Sequence, residues 1–137
     1  MSRLVLLDNE AVWALKDPAH RKHRQAVSHV QVVTSRKRRA AAIEIAVPTA
    51  VRVEAGWDRT SSAWAFPNRL RIADVTLDAA HANAATATRN RTGVPVPDAH
   101  LGAVIHATSA DQITVVTSDP DDMRLMAEGK AITIVVI

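Results

Sequence analysis

The sequence contains no cysteine and no tyrosine, only four glycines, and few aromatic residues, at 3% of the chain. The lack of cysteine excludes disulfides, thiolate zinc sites and cysteine nucleophiles, and it suits a reducing compartment. The scarcity of glycine argues against a glycine-rich phosphate-binding loop. The scarcity of aromatic residues argues against an RNA-binding domain that stacks bases on exposed rings.

Long apolar segments are also missing. No stretch approaches the roughly 18 residues that a membrane-spanning helix requires. The apolar run before Asp8, Leu4 to Leu7, has only four residues, which is too few for the core of a secretory signal. We therefore expect a cytoplasmic protein with no membrane association. A length of 137 residues, with 47% hydrophobic and 23% charged residues, fits one globular domain over residues 1–137.

The pattern of apolar residues predicts alternating strands and helices. Predicted strands cover residues 3–7, 43–47, 70–75, 113–117 and 132–136. Predicted helices cover 9–16, 19–35, 48–57, 78–91 and 98–110, with a short helix after Pro120 and a connection at 64–68. This alternation predicts an α/β fold: a three-layer α/β/α domain around a central, mostly parallel sheet of about five strands.

Four acidic residues, Asp8, Glu54, Asp98 and Asp119, lie far apart in sequence but at related places in this pattern. Asp8 and Asp119 follow predicted strands, and Asp98 opens a helix. Ligands of open parallel sheets bind beyond the carboxyl ends of the strands, so these acids are expected to converge there. Clustered carboxylates repel one another, and a divalent cation such as Mg²⁺ relieves that repulsion. The pattern therefore predicts metal-dependent phosphodiester chemistry.

Each acid also has a structural explanation. Asp8 and Asp119 are good N-cap residues, and an acid in the first helical turn, such as Asp98, favours the helix dipole. Glu54 is the hardest to explain in this way, because helical spacing places it on the apolar stripe of its helix, where a lone charge is costly. Three further residues beside Asp119 are candidate auxiliary groups: Thr117, Ser118 and Asp121.

Basic residues are concentrated between Pro18 and Ile43, a segment without any acid. They are Arg21, Lys22, Arg24, Arg36, Lys37, Arg38 and Arg39. Such an arm suits the backbone of RNA, although a solvated helix face explains it equally well. His20 and His23 have the spacing of a zinc pair but lack a third ligand nearby, and His100 is expected on the surface.

In the order and spacing of its four acids the chain resembles PIN-domain proteins, most closely the VapC-type toxin ribonucleases. The resemblance rests on the segments 6–8, 47–54, 97–103 and 115–121, and it covers essentially the whole chain. It implies that Asp8, Glu54, Asp98 and Asp119 bind Mg²⁺ or Mn²⁺ and cleave RNA. It also implies a homodimer and a cognate antitoxin; the tryptophan-containing segment 57–66 is a candidate dimer interface. Here Asn9 and Glu10 follow the first Asp, where the family usually has Thr or Ser and then Asn.

Two other hypotheses remain open from the sequence. The chain is a degenerate, non-catalytic member that binds RNA or a protein, or it is a phosphoacceptor receiver domain with Asp8 or Asp119 in its acidic pocket. A receiver requires a lysine near a late strand, and Lys130 is poorly placed for that role. The presence of all four acids favours the nuclease.

Overall fold

The computed structural model describes residues 2–37 and 42–137. Its strands are β1 (Arg3–Leu7), β2 (Ile43–Pro48), β3 (Ile72–Val75), β4 (Gln112–Thr117) and β5 (Thr133–Val136). Its helices are α1 (Asn9–Lys16), α2 (His23–Lys37), α3 (Thr49–Ala55), α4 (Ala65–Arg69), α5 (Ala79–Thr92), α6 (Val96–Ala107) and α7 (Pro120–Ala127), with a 3₁₀ turn at Ser62–Trp64.

The five strands form one parallel sheet in the order β3-β2-β1-β4-β5. The first strand is therefore central, and Leu6 pairs with Ala46 on one side and Val115 on the other. The strand order changes direction at β1. The predicted α/β class and parallel sheet are confirmed, and the carboxyl ends of β1 and β4 lie side by side, followed by Asp8 and Ser118.

Two apolar cores cover the two faces of the sheet, which gives the predicted three layers. On one face α1, α2 and α3 pack on residues such as Leu7, Val47 and Val116. On the other face α5, α6 and α7 pack on Leu6 and Val115, among others. Because both faces are covered, the central strands read as continuous apolar runs rather than as alternating ones.

A close approach of α6 to α7 depends on Gly102. A Cβ at this position would lie 3.3 Å from the Cβ of Met126 and 3.6 Å from Cγ2 of Thr88. Glycine thus lets the helix that carries Asp98 lie against the helix that begins after Asp119. Gly102 lies one turn after Asp98, so the close contact between the two helices is made directly beside that acid.

Several predicted boundaries are wrong. The basic helix begins at His23 rather than 19, after turns in which the His20 N–H donates to the Asp17 carbonyl. The predicted connection at 64–68 is the 3₁₀ turn and α4, because Trp64 is buried and stacks on Trp57 with ring centroids 5.6 Å apart. The sixth helix begins at Val96, since proline is tolerated in a first turn.

Candidate functional site

Asp8 is buried at the carboxyl end of β1 and caps α1. Its Oδ1 accepts a hydrogen bond from the Ala11 N–H at 2.8 Å, and its Oδ2 accepts one from the Thr117 hydroxyl at 2.5 Å. Burial raises the pKa of Asp8, Glu10 raises it further, and the hydrogen bonds from Thr117 and from the Ala11 and Ser118 backbone oppose the rise. Asp8 is thus both the predicted N-cap and a carboxylate held in a fixed orientation.

Thr117 is fully buried at the end of β4 and uses its hydroxyl twice. It donates to Asp8 and accepts from the Asp119 N–H at 2.9 Å. Ser118 also donates to the Asp8 carboxylate, through its backbone N–H. Both residues thus fix the orientation of Asp8. That Thr117 or Ser118 holds a metal-bound water stays a prediction.

Asp98 lies in the first turn of α6, and the charges of the other acids act on its carboxyl. Burial raises its pKa to about 6, and the charges of Glu54, Asp8, Asp122 and Asp119 add to the rise, in that order. These acids come from four separate segments of the chain. Each of these four charges therefore lies near enough to Asp98 to act on its carboxyl.

Glu54 differs from its predicted environment. It is exposed, and the buried positions of α3 are Val51 and Ala55. The predicted stripe extended to Trp57, which is buried but lies beyond the end of α3 at Ala55, so helical spacing does not place Glu54 beside it. The α3 helix has only seven residues, and a stripe cannot be assigned reliably over two turns. Glu54 nevertheless acts on Asp98 more strongly than any other charge.

The three acids at the start of α7 have different surroundings. Asp119 caps the helix by accepting from the Asp122 N–H at 3.3 Å, as its sequence predicted. Asp121, the predicted auxiliary ligand, pairs with Arg124 at 3.2 Å and its side chain is 94% exposed. Asp122 is the residue that sequence reasoning missed. Its carboxyl interacts with that of Asp119, which raises the pKa of Asp122, and its charge reaches Asp98.

The donor set fits an oxygen-liganded divalent cation. Among the side chains that the structure describes, which exclude those of residues 35–41, no lysine or arginine forms an ion pair with Asp98 or with the acids that act on it. In the same described part, no three Asp, Glu, His or Cys side chains stand close enough together to hold one ion directly. Mg²⁺ commonly takes only one or two carboxylates and keeps several waters, so the two observations are compatible.

His100 is fully buried, so the prediction of a surface histidine is wrong. Its Nδ1 accepts a hydrogen bond from the Ala50 N–H at 3.3 Å, which joins α6 to the first turn of α3. Its Nε2 is buried without a hydrogen-bond partner among the described residues, and its ring meets His81 edge-on at 5.7 Å. Burial lowers the pKa of His100 to about 4, and the charge of His81 lowers it further.

His20 and His23, which have the spacing of a zinc pair, each make a hydrogen bond to helix α1. His20 Nε2 lies 2.9 Å from a Glu10 carboxylate oxygen, and His23 Nδ1 lies 2.7 Å from the Ala14 carbonyl. Both contacts hold the start of the α2 region against α1.

Only part of the predicted basic surface is described. Arg21 and Arg24 are exposed and Lys22 is half-buried. Arg36 and Lys37 end α2, but their side chains lie outside the described part, as do the whole residues Arg38 and Arg39.

The tryptophans of the candidate dimer interface at 57–66 are buried. Trp57 and Trp64 are only 3% and 4% exposed, because they pack into the core beside α1. The Trp57 indole N–H also donates to Asn68 Oδ1 at 2.7 Å. An interface at this segment would therefore use its exposed residues rather than the two rings, and it stays a prediction.

Comparison of the chain with models of known protein families and with curated proteins gives no significant match. Within the described residues, no helix has the length and apolar character needed to cross a membrane. The fold and the geometry of the site therefore carry the functional argument.

Proposed function

We propose that the chain is a Mg²⁺-dependent endoribonuclease that hydrolyses RNA phosphodiester bonds, with Mn²⁺ able to substitute. The observation that supports it best is the electrostatic state of Asp98. Four carboxylates from other segments raise its pKa, and no cationic side chain in the described structure pairs with any of them. Such uncompensated negative charge disfavours folding unless a cation is bound.

Asp8 and Asp98 would be the principal metal ligands, with Glu54 and Asp119 binding directly or through water and Asp122 beside them. A bound divalent cation would lower the pKa of a water molecule and neutralise charge that develops on the phosphate. The remaining contributions come from the chain itself. Thr117 holds the Asp8 carboxylate in place, and the exposed Glu54 is accessible from solvent.

RNA would be held mainly through its phosphates. Arg21 and Arg24 are exposed, and no ion pair within the described residues occupies them. The buried tryptophans leave few rings for base stacking, which favours recognition of the backbone over recognition of base sequence.

The resemblance to VapC-type toxins extends the proposal to biological role. On that basis the chain is the toxin of a toxin–antitoxin pair, acts in the cytoplasm as a homodimer, and is silenced by a cognate antitoxin protein. These points rest on the order of the four acids and on the α/β fold.

The proposal is tested by titrating the protein with Mn²⁺ in a calorimeter and by measuring RNA cleavage in parallel. We expect Asp8→Asn and Asp98→Asn to abolish cleavage and to weaken Mn²⁺ binding at least tenfold, about 1.4 kcal/mol. Glu54→Gln should reduce both. The matched control is Glu44→Gln, which changes an exposed glutamate of β2 and should leave both unchanged. Full cleavage by a nuclease-free Asp8→Asn preparation would reject the proposal.

A non-catalytic module that binds RNA or a protein is the second candidate. The observation that favours it is the lack, within the described residues, of three potential ligands close enough for direct coordination. This candidate predicts RNA binding that neither requires Mn²⁺ nor changes in Glu54→Gln. Sequencing the 5′ ends of RNA after brief expression separates the two, because only a nuclease produces new ends.

A further inference from the structure

The strand β5 forms an edge of the sheet that is open to a partner. In the described structure it pairs only with β4, through Thr114–Thr133 to Thr117–Val136. A strand edge of this kind presents a row of backbone N–H and C=O groups to which another strand can add.

The direction of each backbone group on β5 follows from one hydrogen bond. The Ile137 N–H donates to the Thr117 carbonyl at 3.0 Å, so Ile137 and Val135 face β4. Backbone polar groups alternate in direction along a strand, and those of Ile134 and Val136 therefore point outward. The Val136 carbonyl accepts from Gln25 Nε2 at 3.3 Å, which agrees with this direction. The Ile134 N–H and C=O and the Val136 N–H have no partner among the described residues.

The two edges of the sheet differ in charge. The opposite edge strand, β3, carries Asp74, which pairs with Arg52 at 2.8 Å and with Arg59 at 2.8 Å. Charged side chains on an edge discourage the addition of another strand. Residues 131–137 contain no charged residue, no proline and no glycine, and are rich in β-branched side chains. The fold thus protects one edge and leaves the other suited to pairing.

Apolar side chains flank β5 on both faces of the sheet. Val136 is 52% exposed and Leu125 of α7 is 50% exposed. On the other face, a groove of about 560 Å³ runs between α2 and the sheet, with Val32, Val33 and Val135 in its lining. A strand added at β5 would place alternate side chains on these two surfaces, since side chains alternate across a strand.

We propose that the open edge of β5 pairs with β5 of a second copy of this chain, antiparallel about a two-fold axis. In a two-fold interface the same strand of each copy faces the other, so a charged residue would face a residue of equal charge. Like charges directly opposite destabilise a strand pair. An uncharged strand meets that requirement.

The pairing does not depend on nuclease activity, and its test uses the absence of cysteine. Single cysteines at Ile134 or Val135, the two positions that can lie on the two-fold axis of a centred pair, can form intermolecular disulfides without background from native thiols. We expect at least one of these variants to form a covalent dimer under mild oxidation. The matched control is Val53→Cys, an 82% exposed position on α3. Disulfide formation at Val53 without any in β5 would overturn the proposal.

A second measurement uses the wild-type chain and a charge substitution. Light scattering at high micromolar concentration should show a dimer, with the Ile134 and Val136 amides protected from hydrogen exchange. Val136→Lys should raise the dimer dissociation constant at least about tenfold, whereas Val136→Thr, which keeps the β-branched shape, should not. A monomeric wild-type protein, or a dimer with rapid exchange at both amides, would refute β5 pairing. The proposal would also be refuted if Val53→Lys disrupted the dimer and Val136→Lys did not.

Discussion

The hydroxyl of Thr117 donates to the carboxylate of Asp8 across 109 residues of sequence, at a distance of 2.5 Å and out of contact with solvent. The same hydroxyl accepts from the Asp119 N–H. One side chain thus connects the acid that follows β1 with the acid that caps α7. The relative position of these two acids depends on it.

Replacement of Thr117 by valine should destabilise the fold, because it keeps the shape and leaves the buried Asp8 oxygen without its donor. Loss of one partner of a buried hydrogen bond costs about 1–3 kcal/mol. It should also raise the pKa of Asp8 further, since the hydrogen bond favours the charged form. Urea denaturation measures the first effect. Thr114→Val on the same strand is the control and should change the free energy of unfolding little; equal effects at both positions would contradict the prediction.

Asp98→Asn should stabilise the metal-free protein at neutral pH. Its pKa rises from 3.8 to about 6 on folding, so its contribution to stability is present below pH 3.8 and is lost as pH rises through 6. The shift corresponds to about 3 kcal/mol, and solvent screening reduces this to about 1 or 2 kcal/mol. Denaturation in a chelator at pH 7.5 should show the gain. The gain should shrink as pH falls toward 3.8; a gain independent of pH would point to a cause other than ionisation.

His100 should act in the opposite direction over nearly the same range. Its pKa is lowered from 6.5 to about 4, mainly by burial, so the unfolded chain takes up the proton first. Stability is present above pH 6.5 and is lost as pH falls toward 4, by about 2–3 kcal/mol. His100→Gln should lower stability at neutral pH and flatten the loss below pH 6.5. Thermal unfolding at several pH values tests this, and a profile as steep as that of the wild type would count against it.

Removal of exposed positive charge near α2 should weaken RNA binding and its dependence on salt. In an Asp8→Asn background, Arg21→Gln with Arg24→Gln removes two exposed cations. If each contacts a phosphate of single-stranded RNA, the slope of log K against log salt should fall by about 1.4. The control is Arg69→Gln with Arg71→Gln, which removes two exposed cations elsewhere. Equal losses in both double variants would argue for a general charge effect instead of a binding surface.

Sequence reasoning located the strands because β1 and β4 are short apolar runs bounded by polar residues, and their parallel pairing followed from alternation with helices. It also identified Asp8 and Asp119 as caps, since capping depends only on neighbouring residues. It did not find that His100 is buried, because that follows from packing against α3, which lies about 50 residues away. Helix α4 was missed for the same reason: stacking of Trp64 on Trp57 is a tertiary contact.

The environment of Glu54 shows where periodicity fails. A seven-residue helix offers only two turns, and the predicted helix ran to 57, so that Trp57, which lies beyond the Gly56 cap, counted toward the stripe. Asp122 was missed because three aspartates follow one another within four residues, and only the geometry of α7 separates those that face Asp98 from Asp121. Local pattern gave the elements, whereas the choice among adjacent acids required coordinates.

The central position of β1 has a consequence for synthesis of the chain. Strand β1 leaves the ribosome long before β4, which begins at Gln112, and waits for it before both of its edges are paired. Long-range pairing of this kind is slow to form. Asp8 cannot receive the Thr117 hydroxyl until most of the polypeptide has been translated. A nascent fragment would therefore carry Asp8 and Glu54 without their folded surroundings until β4 has paired with β1.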